Sequence, residues 1–423
     1  MRKQRSPSHP WVLLFVAVCL VAANMRMTIT GVGPLIEEIA ADQGVTPAAL
    51  GWLASVPLLA WAAVSPLAHG LSVRVGLSRA VTWSLIALMI GTVWRSLPGG
   101  PASLWLGTAL IGAALAIGNV LLPAVIRRDF ETRVPLVMSV YTALLGGLGA
   151  VSAGLMVPIA DLDLGTGPLG WRFALLMSGA LIPIALVVWI VATRAPRPAA
   201  REAITVAEAA PSGERAAGPA GPAGQPGRRV WRDPIAWWVA LYMGLQAALF
   251  YIVATWLAPI STSAGRSPVD AGIEVMLYQG TAIGGSLLLS LLYRGAQRRW
   301  LPAAIPAVIA GAFACVVLLP QNPLPWILIG GLASGMSLSI SLIFMAEKAA
   351  DHRSAGALSG MAQAVGYLIA AAGPVAFGWL HEVSGGWNAP LALLLGIGAT
   401  QIVCGIVLGG DRRIFEPRAE PRA

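Results

Sequence analysis

The stretch Ala216-Ala217-Gly218-Pro219-Ala220-Gly221-Pro222-Ala223-Gly224-Gln225-Pro226-Gly227 lies just past the middle of a 423-residue chain. Alanine, glycine and proline with scattered charge cannot build a core, so the segment 193–233 around it reads as a flexible linker. Six apolar segments precede it, at 10–32, 49–71, 78–97, 102–125, 134–159 and 172–192. Six follow it, at 235–258, 270–292, 301–320, 325–346, 355–380 and 389–409. Each has about the 20 residues that a helix needs to cross a bilayer. The expected fold is all-α and integral to a membrane: twelve transmembrane helices in two six-helix halves, 1–192 and 234–423, the second ending in a short tail. Two six-span units in series is the layout of parallel-repeat transporters, whose halves are related by an axis along the membrane normal.

Composition points the same way. The chain is 57% hydrophobic and 11% charged, whereas a soluble protein carries roughly 25% charged residues. The net charge of +9 could suggest nucleic acid, but its placement excludes that partner. Of the 28 Lys and Arg residues, 24 fall at the N-terminus, in alternate loops, in the linker and in the tail, all on one side of a twelve-span layout. Arg26, Arg95, Arg172 and Arg266 are the remainder. Such a bias orients both termini toward the cytoplasm. The expected partners are the bilayer of the cytoplasmic membrane and a small-molecule solute, with the chain acting as a monomer. A basic N-terminus before an apolar run is also how a signal peptide begins. Leu20-Val21-Ala22-Ala23 is a poor cleavage site, however, and eleven more spans follow, so an uncleaved first helix is expected.

No enzyme chemistry is legible. The chain lacks a Walker phosphate loop, so ATP does not drive an activity within it. His9, His69, His352 and His381 lie at span ends or in loops, with no metal spacing and no nucleophile–base pair. Cys19, Cys315 and Cys404 fall in three separate spans and read as small packing residues. No cofactor is expected, and the chemistry is binding.

Asn24-Met25-Arg26 interrupts the first span with a charge. An arginine at membrane depth costs from about 3 to well over 10 kcal/mol, depending on the scale. Arg26 lies about 15 residues into the helix, roughly 22 Å along it. Two readings stay open: a fixed cation that binds an anion, or a side chain that snorkels to the interface or pairs with another helix. Arg26 and Thr30 share one helix face, while Asn24 and Thr28 share another, about 200° away. One of the pair Arg26 and Asn24 should line a cavity while the other ties the helix to a neighbour. Arg95, ending the third span beside Trp94, reads first as an interfacial anchor.

Uncharged polar and aromatic residues recur within the spans: Asn119, Tyr141, Gln246, Tyr251, Tyr278, Gln279, Gln363, Tyr367 and Gln401. Singly, each suits an interhelical hydrogen bond; together they describe a small hydrogen-bonding cavity. Glu274, expected at an interface, is the candidate carboxylate within a span, so a proton relay has little support. Gly146, Gly147, Gly149 and Gly154 in the fifth span, and Gly356, Gly360, Gly366 and Gly373 in the eleventh, allow close helix approach.

Six plus six spans around a basic central loop resembles the major facilitator superfamily. Its signature between the second and third spans, Gly-x-Leu-Ala-Asp-Arg-x-Gly-Arg, aligns with His69-Gly70-Leu71-Ser72-Val73-Arg74-Val75-Gly76-Leu77. Leu71, Arg74 and Gly76 match, and Val73 stands at the acidic position. The resemblance implies a gating loop carried by Arg74 and Gly76, with its charge relay weakened. The fifth span lacks the central proline of the antiporter motif between Gly146 and Gly154, which removes support for drug–proton exchange.

More specifically, the chain is similar to the cyanate/nitroimidazole (CynX/NimT-type) transporters. The matching pieces are Asn24-Met25-Arg26 with Gly33-Pro34-Leu35, Arg95, Pro123-Ala124-Val125-Ile126-Arg127-Arg128-Asp129-Phe130 through Pro135-Leu136-Val137-Met138, Trp256-Leu257 with Pro259, and Gln363 with Gly366. This resemblance implies movement of small anions or small polar heterocycles, and it adds weight to Arg95 as a ligand. The expected binding set is Arg26, Asn24, Asn119, Gln246, Tyr251, Gln363, Tyr367 and Arg95, acting on a cyanate-like ion or small carboxylate by alternating access. The alternative is an efflux carrier for drug-like heterocycles, with a cavity lined by Trp52, Trp61, Tyr251 and Trp256.

Overall fold

The structure is a computed structural model that describes residues 10–130, 133–165, 167–194, 230–349, 352–410 and 412–415. Most of the expected linker, 195–229, and the N-terminal basic residues Arg2, Lys3 and Arg5 lie outside the described residues.

In the first half the helices are α1 (Pro10–Thr30), α2 (Ile36–Gln43), α3 (Pro47–Val75), α4 (Leu77–Ser96), α5 (Gly100–Asp129), α6 (Val134–Ala160), α7 (Gly170–Met177) and α8 (Ile182–Thr193). The second half comprises α9 (Pro234–Ser263), α10 (Pro268–Leu292), α11 (Gln297–Leu318), α12 (Leu324–Glu347), α13 (His352–Ser384) and α14 (Asn388–Leu408). Among the described residues, 12 helical segments are long and apolar enough to cross a membrane. They fall six and six around the central stretch, and no strand is present among the described residues.

Local chemistry starts several of these helices in the same way. Thr46-Pro47, Asp233-Pro234 and Ser267-Pro268 each place a capping side chain before a proline at the first helical position. The caps accept from Ala49, Ile235 and Asp270 amides respectively, while the proline fills a position whose N–H has no partner anyway.

Two spans differ from the unbroken helices expected. The first runs on from α1 through a 3-10 turn at Gly33–Leu35 into α2, as far as Gln43. The sixth breaks between α7 and α8, where Pro183 at the start of α8 can neither donate to the carbonyl four residues back nor tolerate it close by.

One apolar core is built on α1, α3, α4, α5, α6 and α8 and takes in Ala247, Tyr251, Ala370 and Ala371 of the second half, and another is built on α9–α14. Large apolar side chains also cover the outside of the bundle, among them Trp83, Leu106, Leu136 and Trp300. That surface suits lipid. The halves join along two seams, α3 with α13 and α6 with α10.

We call the end holding Pro10 and Leu408 the terminal end, and its opposite the distal end. At the distal end the halves close on each other. Thr262 of α9 donates to Glu37 of α2 at 2.7 Å, and Thr46 donates to Glu382 of α13 at 3.4 Å. The 3-10 turn packs on α9 so closely that a Cβ at Gly33 would lie 2.5 Å from the Ala254 carbonyl oxygen. Gly51 of α3 is seated in the same way on the Pro374 carbonyl of α13. Toward the terminal end, Gly70 on α3 and Gly360 on α13 face open space.

Candidate functional site

Arg26 is placed by how α1 meets α6. Gly149 of α6 sits against the root of Arg26, where a Cβ would lie 3.1 Å from the arginine Cβ. Thr30 donates to the Gly149 carbonyl at 2.7 Å, and Ser152 donates to the Met27 carbonyl at 2.9 Å. This stitching directs the guanidinium across the bundle toward α9. There its Nη1 lies 3.4 Å from the Tyr251 hydroxyl, and its Cζ stands 5.8 Å from the centre of the Phe250 ring. Among the described residues no carboxylate is within ion-pairing distance of it.

In front of Arg26 lies a cavity of about 540 Å³. It reaches from Arg26 and Gln246 along α6, α10 and α12 toward the terminal end, past Met138 and Leu287. Gln246, Gln279 and Ser334 are polar groups at the Arg26 end, Ser139, Thr142 and Ser286 line the cavity further along, and Leu145, Ile283 and Leu338 make much of the wall apolar. Gln246 and Gln279 are only 4% and 5% exposed, and the Oε1 of the first and the Nε2 of the second have no hydrogen-bond partner in the protein. A buried amide edge without a partner costs about 1–3 kcal/mol. A cation without a carboxylate partner among the described residues and two amide side chains thus stand at one end of a cavity, groups suited to a polar ligand.

Behind Arg26, Tyr251 and Tyr367 both present edges to Trp61, with ring centres 6.4 and 5.3 Å apart. Tyr251, Tyr367 and Trp61 thus form an aromatic wall between the halves, and neither tyrosine is in the cavity lining, contrary to expectation.

The other expected site residues are not brought into the cavity. Asn24 is fully buried and donates to the Leu20 carbonyl of its own helix at 2.8 Å, so it neither lines the cavity nor ties α1 to a neighbour through that bond. The 200° phase difference was the right signal for separating it from Arg26. Gln363 donates to Ser359 one turn earlier at 3.0 Å and is absent from the cavity lining. Asn119 is half-buried on α5, also outside the lining.

Arg95 is neither a cavity ligand nor an interfacial anchor. It is fully buried inside the first half, with Nη1 donating to the Thr28 carbonyl at 2.7 Å. Close packing at Gly107, where a Cβ would meet the Arg95 backbone at 2.6 Å, draws the end of α4 inward and away from lipid. Glu274 lies six residues into α10, near its distal end, where it is buried, accepts from Ser261 and pairs with Arg266 at 2.9 Å. Of the tryptophans expected around a drug site, Trp256 is buried and donates to the Pro374 carbonyl at 2.9 Å, while Trp52 is 52% exposed on the outside.

Arg74 is exposed in the last turn of α3, and Gly76 joins α3 to α4 with φ +88°, a conformation that a Cβ would strain. Gln279, Phe250 and Ser334 line the cavity although none was in the expected set. The helical spacing of Gln279, Ile283 and Ser286 on α10 was a signal for Gln279, since positions four and three apart share a face; Phe250 and Ser334 lie on other helices and had no such signal.

A twelve-span bundle of two halves around a central cavity defines a class of membrane carrier. The chain matches the Major Facilitator Superfamily over residues 14–374 and belongs to that superfamily. It is a transporter. Within that family it is 33% identical over 404 residues to the 2-nitroimidazole transporter of Escherichia coli (strain K12), covering 95% of this chain and 97% of that one. It is 25% identical over 378 residues to the cyanate transport protein CynX of the same organism, covering 88% and 91%. Among solved structures, a bacterial homologue of the human lysosomal transporter Spinster shares the fold, with a TM-score of 0.73 at 15% identity over 95% of each chain. The expected resemblance to the cyanate/nitroimidazole transporters agrees with these relatives.

Proposed function

We propose that this transporter carries a small planar solute bearing an anionic or nitro group, by alternating access, and that Arg26 is its principal ligand. The observation that supports this reading is an arginine without a carboxylate partner facing a cavity of about 540 Å³. A guanidinium offers a planar fork of donors that matches a carboxylate or nitro group bidentately. Gln246 and Gln279 supply further hydrogen bonds beside it, and Tyr251 and Phe250 bound the site on α9. The cavity far exceeds a three-atom ion such as cyanate, and its apolar walls suit a ring attached to the polar group.

Both termini face the cytoplasm in this reading, on the strength of the arginine bias, so the cavity opens inward and the distal seal faces outward. Loading from the opposite side requires the two halves to rock about the seams α3–α13 and α6–α10. No catalytic step is involved, and the solute leaves unchanged.

Arg26→Ala tests the assignment. Loss of a buried charged hydrogen-bonding group costs about 2–5 kcal/mol, so binding should weaken by about 30-fold or more while the protein still inserts and folds. Uptake of a benzoate and 2-nitroimidazole panel into proteoliposomes would measure it. Unchanged transport of every solute by the variant sinks the proposal.

A second reading is export of neutral drug-like heterocycles. The apolar wall formed by Leu145, Ile283 and Leu338 favours it, as does the name of the relative at 33% identity. It separates from the first by charge: nitroimidazoles would move and benzoate would not.

A further inference from the structure

Arg95 poses a physical problem that the cavity does not solve. It is fully buried, and among the described residues no carboxylate lies within ion-pairing distance. What holds its charge is backbone. Nη1 donates to the Thr28 carbonyl at 2.7 Å, in the last turn of α1. Nη2 lies 3.5 Å from the Ser178 hydroxyl, the residue that caps the end of α7, and that hydroxyl donates in turn to the Leu175 carbonyl at 2.6 Å. The last carbonyls of a helix lack N–H partners and carry its negative pole. Two helix C-termini therefore converge on one guanidinium.

Both of those ends are breaks within membrane spans. At the first, the Val32 amide donates to Ile29, three residues back, so the Thr28 carbonyl loses the donor a regular α-helix would supply. Arg95 supplies one instead. At the second, the amides of Gly179, Ala180 and Ile182 also reach back only three residues. The base of the clamp is firm, because α5 packs against the Arg95 backbone at Gly107.

The first break has two consequences for the carrier. Arg26 lies two residues before Thr28, and Gly33, which seals the distal end against Ala254, lies five residues after it. We propose that Arg95 is a positioning residue: it clamps the break in α1, and thereby sets both the reach of Arg26 into the cavity and the seat of Gly33 on α9. Arginine suits the task because its rigid fork holds two acceptors at once, which a lysine ammonium on a flexible stem does not.

The test uses full-length protein in proteoliposomes, with Cys19, Cys315 and Cys404 replaced by serine and Thr255→Cys as reporter. Thr255 lines the small gap just inside the distal seal, with Thr30, Gly33 and Tyr251. A membrane-impermeant maleimide is added to the distal side or the terminal side. If the clamp holds the seal, Arg95→Gln should raise distal labelling by about tenfold, the shift in open population that about 1.4 kcal/mol lost from the sealed state produces. Arg95→Lys should give a smaller rise, as should Ser178→Ala, which removes one acceptor and leaves the charge. Terminal-side labelling should not increase in any of them. Parental distal labelling in all three variants overturns the proposal. So does a fall in melting temperature of the Arg95 variants with labelling raised equally from both sides, which would assign Arg95 to folding alone. The labelling readout is independent of which solute the cavity takes.

Discussion

Gln246 and Gln279 are costly to the empty carrier. Each holds an amide atom away from water without a partner, beside an arginine whose hydrogen-bonding capacity is largely unused. Such groups persist where something else supplies the missing bonds, and in the proposed function that is the solute. Removing an unsatisfied buried group is near neutral or stabilising, whereas removing a partner from a formed bond is not. Gln279→Leu should therefore leave the melting temperature of the empty protein unchanged or raised. The same variant should lose about 1–3 kcal/mol of solute binding, roughly 5- to 150-fold in KM. A thermal melt with and without solute, alongside uptake kinetics, reads both. A lowered melt together with parental uptake would show that Gln279 serves packing.

At the scale of elements, α1 is the part of the first half that does most. It carries Arg26, loses its regular hydrogen bonding near Thr30, passes through Gly33, and continues as α2 to Glu37 on the distal surface. The glycine is required by a backbone-to-backbone approach, since a side chain there would meet the Ala254 carbonyl. Gly33→Val should hold the distal end open, raising distal labelling of Thr255→Cys and cutting uptake by about a hundredfold or more, as expected when a catalytic or binding geometry is displaced by about 1 Å. Parental uptake by Gly33→Val would show that α9 can move aside. The glycines of α6 have distinct seats: Gly149 against Arg26 on α1, Gly146 against Ile283 and Gly154 against Met276 on α10. One small-residue face thus serves both the site and the seam between halves.

Across the whole molecule, the distal contacts join the two halves at one end of the bundle. Thr262 with Glu37 and Thr46 with Glu382 join the halves on the distal side of Arg26, while the cavity extends from Arg26 toward the terminal end. Cysteines at Glu37 and Thr262, bridged by a short reducible crosslinker, should abolish transport, because alternating access requires these surfaces to part. Reduction should restore it. Full transport by the crosslinked protein would exclude separation at this point.

Much of this was legible in the sequence for reasons that are local. A span announces itself by about 20 apolar residues, and the Thr46-Pro47, Asp233-Pro234 and Ser267-Pro268 starts are written in adjacent residues. Arg26 stood out because a charge in an apolar helix has a cost that composition alone reveals. Arg95 carries the same charge in a similar setting and was misread, since its burial depends on α5 packing at Gly107 and on where two other helices end. Asn24, Asn119 and Gln363 were chemically plausible ligands, and only the rotation of each helix against its neighbours removed them from the cavity lining.

The sequence by itself determined the twelve spans, their six-and-six division and the presence of a membrane-depth cation, because hydropathy and helical period act along the chain. The tertiary structure alone decided which polar residues share a cavity, which end of the bundle is sealed, and that Arg95 faces two helix ends. Those outcomes depend on packing between segments far apart in sequence, where a glycine seat or a broken turn redirects a side chain by more than any local preference can.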